Sequence, residues 1–171
     1  DGVHSEEAIK ATILFAEVLD RIGIDFEILG FNTLPTTESE KENYVFKGFG
    51  KTYDTDSKKK VERVITDVDT IAAAKNDDGP AIKWASDRMV EQNGERKFIF
   101  VISDGQPVYS NVYGNARTGD FAMDKMIKYS QDTGSHIIGL GIGPGTTAVQ
   151  EFYKTNRVVS NVKELSPVIG G

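Results

Sequence analysis

Three short stretches of this chain place oxygen-bearing side chains where a loop would begin or end: Asn32-Thr33, Asn76-Asp77-Asp78-Gly79 and Ser103-Asp104-Gly105. The third says most. It follows Phe98-Ile99-Phe100-Val101-Ile102, a run with the β-branched and aromatic character of a strand buried on both faces. A carboxylate at the end of such a strand is costly unless it is paired, hydrogen-bonded or metal-bound. Gly105 allows the backbone to turn sharply there, and Pro107 stops the strand from continuing. Carboxylate, amide and hydroxyl oxygens without sulfur or imidazole suit a hard cation such as Mg²⁺, Mn²⁺ or Ca²⁺. Each stretch also has a plainer reading. Asp78 before Gly79-Pro80-Ala81, taken alone, reads first as a helix N-cap, and Asp104-Gly105 alone is a turn. The combination of three such loops is what points to a site.

Other chemistries are excluded or disfavoured by composition. The chain has no cysteine, so disulfides, zinc–thiolate sites and cysteine nucleophiles are ruled out. Its two histidines are His4 and His136. The second lies within an apolar run and is expected to be a packed, hydrogen-bonded imidazole rather than a ligand. A net charge of -6 offers no concentrated basic surface for nucleic acid or anionic lipid. The basic run Lys58-Lys59-Lys60 stands beside Asp54 and Asp56 and reads as a solvated helix start. No stretch approaches the ~20 apolar residues of a membrane span, and the first residues lack the pattern of a signal peptide. A cytoplasmic protein is therefore expected. No Gly-x-x-x-x-Gly-Lys-Ser/Thr loop occurs, and the alternating glycines of Gly139 to Gly145 lack dinucleotide-loop spacing, so they read as a sheet-to-helix turn.

The elements that must position these loops follow from periodicity. Ser5 to Ile22 is helical, with Glu6, Lys10, Glu17 and Arg21 on one polar face and Gly23 closing it. A strand is expected from about Asp25 to Phe31. Leu34 to Ser57 reads as an irregular insertion in which Tyr44, Val45, Phe46 and Phe49 either form a short strand or pack a long loop. Helices are expected over Lys58 to Lys75, Ala81 to Gln92, Gly119 to Gln131 and Thr147 to Lys154, with another from Val162. Strands are expected over Lys97 to Ser103, His136 to Gly143 and Arg157 to Ser160. At 171 residues with 39% hydrophobic and 27% charged content, this is one soluble domain. The alternation predicts an α/β, Rossmann-like, mostly parallel sheet with helices on both faces. In such sheets ligands bind at the carboxyl ends of the strands.

Four stretches carry a resemblance: "EEAIKATILFAEVLDRIGIDFEILGFNT", "NDDGPAIKWASDRM", "KFIFVISDGQPV" and "HIIGLGIG". With them the chain resembles a von Willebrand factor A-type (VWA) domain, and within that superfamily the VWA domain of the cobaltochelatase subunit that partners an AAA+ ATPase. The insertion at about 34–57 is not covered. The resemblance implies a metal-ion-dependent adhesion site (MIDAS) built from three loops. Asp104 takes the place of the third-loop aspartate, and Asn76 stands where the second-loop threonine usually does, an amide oxygen for a hydroxyl. Asp77, Asp78, Asn32, Thr33 and Ser103 would form the rim. The family's first strand and its Asp-x-Ser-x-Ser motif have no counterpart. Asp1 and Ser5 have the right separation, but Val3 replaces the central serine. The motif is expected upstream of Asp1, and metal binding is conditional on it.

The resemblance implies a protein-interaction module that binds a partner carboxylate through its divalent cation. The partner would be an AAA+ ATPase or a chelatase subunit, and the module would not be catalytic by itself. Two other classes stay open. One is an oxygen-ligated metal-dependent hydrolase using Asp104, Asp78 and Asp77. The other is a metal-free structural interaction domain that makes contact through the insertion.

Overall fold

The computed structural model describes residues 2–33, 41–67, 78–103, 119–143 and 146–165. Helix α1, Gly2–Ile22, is the longest element among the described residues. It ends as the glycine predicted. Gly23 takes φ 77°, its N–H donates to the carbonyl of Asp20, and the N–H of Ile24 donates to the carbonyl of Leu19. This is the paired bonding of a Schellman cap.

After the cap the chain doubles back into β1, Ile28–Thr33. It pairs antiparallel with β2, Lys41–Lys47, from Ile28 opposite Lys47 to Thr33 opposite Lys41. Within the expected insertion, then, 41–47 is a regular strand, Ser57 already lies in a helix, and 34–40 falls outside the described residues. Asp25 and Lys47 secure the hairpin. Both carboxylate oxygens of Asp25 accept the Gly50 N–H at 3.0 and 3.1 Å. The buried ammonium of Lys47 donates to the carbonyls of Phe26 and Gly48 and lies 4.2 Å from the centre of the Phe26 ring.

Helix α2, Thr55–Asp67, begins three residues earlier than its apolar stripe suggested, because Asp54 caps it. The Asp54 carboxylate accepts from the Ser57 N–H at 2.8 Å and from the Ser57 hydroxyl at 3.0 Å. The lysine run behaves as expected. Lys58 pairs with Glu17 of α1 and Lys60 with Asp56, all on exposed surface.

The second sheet is parallel, in the order β3 (Lys97–Ser103), β4 (Ser135–Ile142), β5 (Asn156–Val159). Helices α3 (Asp78–Val90), α4 (Met123–Asp132) and α5 (Ala148–Phe152) cover one face. There Ile99 and Ile137 meet Ile82, Met123, Met126, Ile127, Val149 and Tyr153. The opposite face packs Ile102, Leu140, Ile142 and Val159 against Ala11, Leu14 and Phe15 of α1 and against Leu165, which follows a 3-10 turn at Val162–Glu164. The mixed α/β architecture with helices on both faces is the one the sequence predicted. Among the described residues no strand pairs with the second edge of β3, and β1–β2 forms a separate sheet.

Two expectations are corrected. Strand β3 is not buried on both faces, since Phe98 and Phe100 are 45% and 40% exposed. They alternate onto the α1 face, where the cover is centred on Ile102, Leu140 and Ile142 and leaves the amino-end half of the strand open. His136, opposite Phe98 in the parallel register, is exposed as well. Its ring stacks on Phe98 at 5.3 Å instead of being sealed in the core.

The cap on α2 gives a pH-dependent prediction. Hydrogen bonds from the Ser57 backbone and side chain hold the Asp54 carboxyl below its ordinary pKa. A depressed folded-state pKa contributes stability above the unfolded pKa, and that stability is lost as pH falls through the folded value. Asp54→Ala should therefore lower Tm at neutral pH. The gap to the parent should close as pH falls below the usual carboxylate range, as thermal melts over a pH series would read.

Candidate functional site

The directions of the elements decide which loops share a rim. Phe15 of α1 packs at a tilt against Phe100 with ring centres 5.0 Å apart, while Ala11, one turn earlier, shares a core cluster with Leu140 and Ile142, residues further along β4. Helix α1 is therefore antiparallel to β3 and β4. Strand β1 folds back along α1, packing Phe26 and Ile28 on its Ile9 and Ala16 face, so it points the same way as the parallel strands. At the amino end of α1 the Glu7 carboxylate accepts from the Val162 N–H, just past β5, at 2.9 Å. At the other end, Glu27, immediately before β1, holds Arg88 near the close of α3 in a bidentate pair of 2.7 and 2.6 Å. The carboxyl end of α3 thus lies by the amino ends of the strands, and Asp78 at its other end lies by their carboxyl ends.

By these directions the ends of β1 and β3 and the start of α3 face the same end of the layers. Asn32 and Thr33 close β1, Ser103 closes β3 and is half-buried, and Asp78 opens α3. Asp78 is the notable one. It is 5% exposed, and its neighbour Gly79 is buried beside it. The remaining expected ligands and rim residues, Asn76, Asp77 and Asp104, lie outside the described residues. Among the described residues no group of three or more His, Cys, Asp or Glu side chains comes together. What the described rim offers is oxygen alone, a carboxylate and a hydroxyl, and that donor chemistry fits a hard divalent cation in kind.

Sequence reasoning missed what lies under the rim. Gly139 and Gly141 are inside β4, two residues apart and on one face. A Cβ on Gly139 would sit 2.4 Å from the Tyr153 ring, and one on Gly141 would sit 2.8 Å from Thr146. These glycines therefore admit Tyr153 and Thr146 against the strand, a packing role inside β4 that the expected sheet-to-helix turn did not include. Thr146, fully buried, donates from its hydroxyl to the Gly143 carbonyl at 2.7 Å. Burial pushes the Tyr153 phenol well above its ordinary pKa, and the negative charge of Asp78 adds to the shift. The legible signal was the alternation of glycines in an apolar strand, which announces a close neighbour without naming it.

A parallel α/β sheet with helices on both faces defines a Rossmann-like domain. Within that class the chain belongs to the family described as the cobalamin biosynthesis protein CobT VWA domain, whose model matches residues 2–171. It is also similar to the uncharacterized protein YojO of Bacillus subtilis (strain 168), at 24% identity over 175 residues. That match covers 96% of this chain but 26% of YojO, so the chain spans about a quarter of that relative's length. No solved structure matches significantly. Among the described residues no helix is long and apolar enough to cross a membrane.

The entry of α3 into the rim rests on one close approach. A Cβ on Gly79 would lie 1.9 Å from the backbone carbonyl of Phe121, which cannot swing aside as a side chain would. Gly79→Ala should therefore cost about 1–3 kcal/mol of stability, as overpacking against backbone does. Urea unfolding would measure it, and a variant as stable as the parent would show that this contact is not a constraint.

Proposed function

We propose that the chain is a metal-ion-dependent protein-interaction module of a cobaltochelatase-like or other AAA+ ATPase-associated complex. The observation that carries this reading is a buried carboxylate, Asp78, at the carboxyl rim of a sheet whose chain belongs to the CobT VWA family. Asp104 and Asn76 would hold a divalent cation, Mg²⁺ or else Mn²⁺ or Ca²⁺, from the loops that follow β3 and precede α3. Asp78, Asp77, Ser103, Asn32 and Thr33 would line the rim around it. When bound, the ion supplies a coordination position that a carboxylate oxygen of a partner protein can fill.

The chain's own contribution is placement. Helix α3 delivers Asp78, and the ends of β1 and β3 deliver the flanking hydroxyls and amide. Rigid elements anchor each loop, which favours recognition of one carboxylate geometry over loose attraction to any acidic surface. The partner fitting this arrangement presents an exposed Asp or Glu, on an AAA+ ATPase or a chelatase subunit. The absence of cysteine from the whole chain is in keeping with a cytoplasmic setting.

Calorimetric titration of Mn²⁺ into the protein, with any segment that precedes Asp1 included, and into its Asp104→Ala variant tests the reading. The variant should bind roughly tenfold more weakly or worse, since loss of groups around a metal costs at least that much. Equal heats would remove Asp104 from the site. Turnover of a generic phosphomonoester with Mn²⁺, lost in Asp104→Ala, would move the function to a hydrolase.

A further inference from the structure

The end of the layers away from the rim holds a half-open cavity of about 280 Å³ between the hairpin and the close of α3. Gly48, Phe49 and Lys51 line it from the segment after β2, and Glu27, Arg88 and Glu91 line it from the start of β1 and the end of α3. One wall is preformed. The almost fully buried Glu27 holds the Arg88 guanidinium through two hydrogen bonds of 2.7 and 2.6 Å, and that guanidinium also lies 5.6 Å from the centre of the Trp84 ring. The floor is a glycine. A Cβ on Gly48 would lie 3.8 Å from Cγ of Lys51 and 3.9 Å from Oε2 of Glu27, so it would meet both without a clash and take up space that the glycine leaves open.

The charges around this space are divided between its sides. Glu27 and Arg88 neutralise each other. The side chains of Lys51 and Glu91 make no ion pair or hydrogen bond among the described residues. Lys51 comes from the hairpin, while Glu91 stands one residue past the last of α3, where the free carbonyls of the helix also favour positive charge. The cavity thus presents an unpaired ammonium on one side and an unpaired carboxylate on the other. A ligand of opposite polarity satisfies both. Its carboxylate would meet Lys51 and the N–H groups of Arg88 that Glu27 leaves unused, and its ammonium would meet Glu91. Size narrows the class further. The volume falls just under the ~300–1,000 Å³ of drug-sized pockets, which suits an amino acid rather than a nucleotide cofactor.

We propose that this cavity binds a small zwitterion of amino-acid size, with Lys51 and Arg88 on its carboxylate, Glu91 on its ammonium and the Phe49 ring beside its carbon chain. The bound molecule bridges the hairpin and α3, the two elements that Glu27 and Arg88 already join, so its occupancy stabilises that junction. The site lies at the amino ends of the strands, opposite the proposed ion site, and does not depend on it.

NMR titration of the full chain with L-alanine, and separately with its two halves propionate and ethylammonium, tests the assignment. L-alanine should shift the backbone signals of Gly48, Phe49 and Glu91 along a saturating curve. Each half should bind roughly tenfold more weakly or worse, because it lacks one charge-assisted contact. Lys51→Gln and Glu91→Gln, both at exposed positions, should keep the Tm of the parent and each weaken L-alanine roughly tenfold. Gly48→Ala should also fold and should weaken binding by filling the floor. Signals that stay still or fail to saturate overturn the proposal, as does a half that binds as tightly as L-alanine. Parent-like affinity in either charge variant or in Gly48→Ala overturns it as well.

Discussion

Helix α1 is the wall against which everything else is placed, because it buries two different faces at once. Ile9, Ile13, Ala16 and Leu19 form one stripe, packed on the β1–β2 hairpin and on Val61 of α2. Ala11, Leu14 and Phe15 form the other, packed on the parallel sheet. Two of the buried contacts, Ala11 and Ala16, are made by alanine, which lets the helix backbone come close to each side. Each fully buried aliphatic partner contributes about 1.5–3 kcal/mol. Two sheets that share no ladder among the described residues are thereby held in one orientation by this helix. The direction of α1 also sets the direction of β1, and so decides that the ends of β1 and β3 open onto the same rim.

Polar contacts refine this arrangement at its two ends. Near the amino ends of the strands, Glu27 is almost fully buried and would be costly as a lone charge, so its bidentate pairing with Arg88 fixes how α3 lies against the hairpin. Near the carboxyl ends, Glu7 satisfies the Val162 N–H and ties the start of α1 to the turn after β5. The two links lie at opposite ends of the layers, which restrains rotation of α3 and α1 over the sheets better than two contacts at one end would. Asp78 owes its place at the rim to the first of them.

The glycines of β4 show how the sheet makes room for chemistry beneath its rim. With side chains at 139 and 141, Tyr153 and Thr146 would be pushed off the strand and α5 with them. The close approach puts the Tyr153 ring inside an otherwise apolar cluster and seats the buried Thr146 against Gly141. Polar groups so placed are held rigidly by their neighbours, and rigidity is what a recognition site draws from its scaffold.

By itself, the sequence determined the elements and their kinds. The 3.6-residue stripe and Gly23 fixed α1 and its end, and the β-branched run fixed β3 to its exact bounds of 97–103. It also carried the family, through motifs spread over most of the chain. Periodicity reports burial along one element, however, and says nothing about what covers it. Only the tertiary structure decided that Phe98, Phe100 and His136 face outward, that 41–47 pairs antiparallel with β1, and that the glycines of β4 admit Tyr153. Each of these depends on contacts between residues distant in sequence, and a local pattern of polar and apolar positions does not encode such contacts.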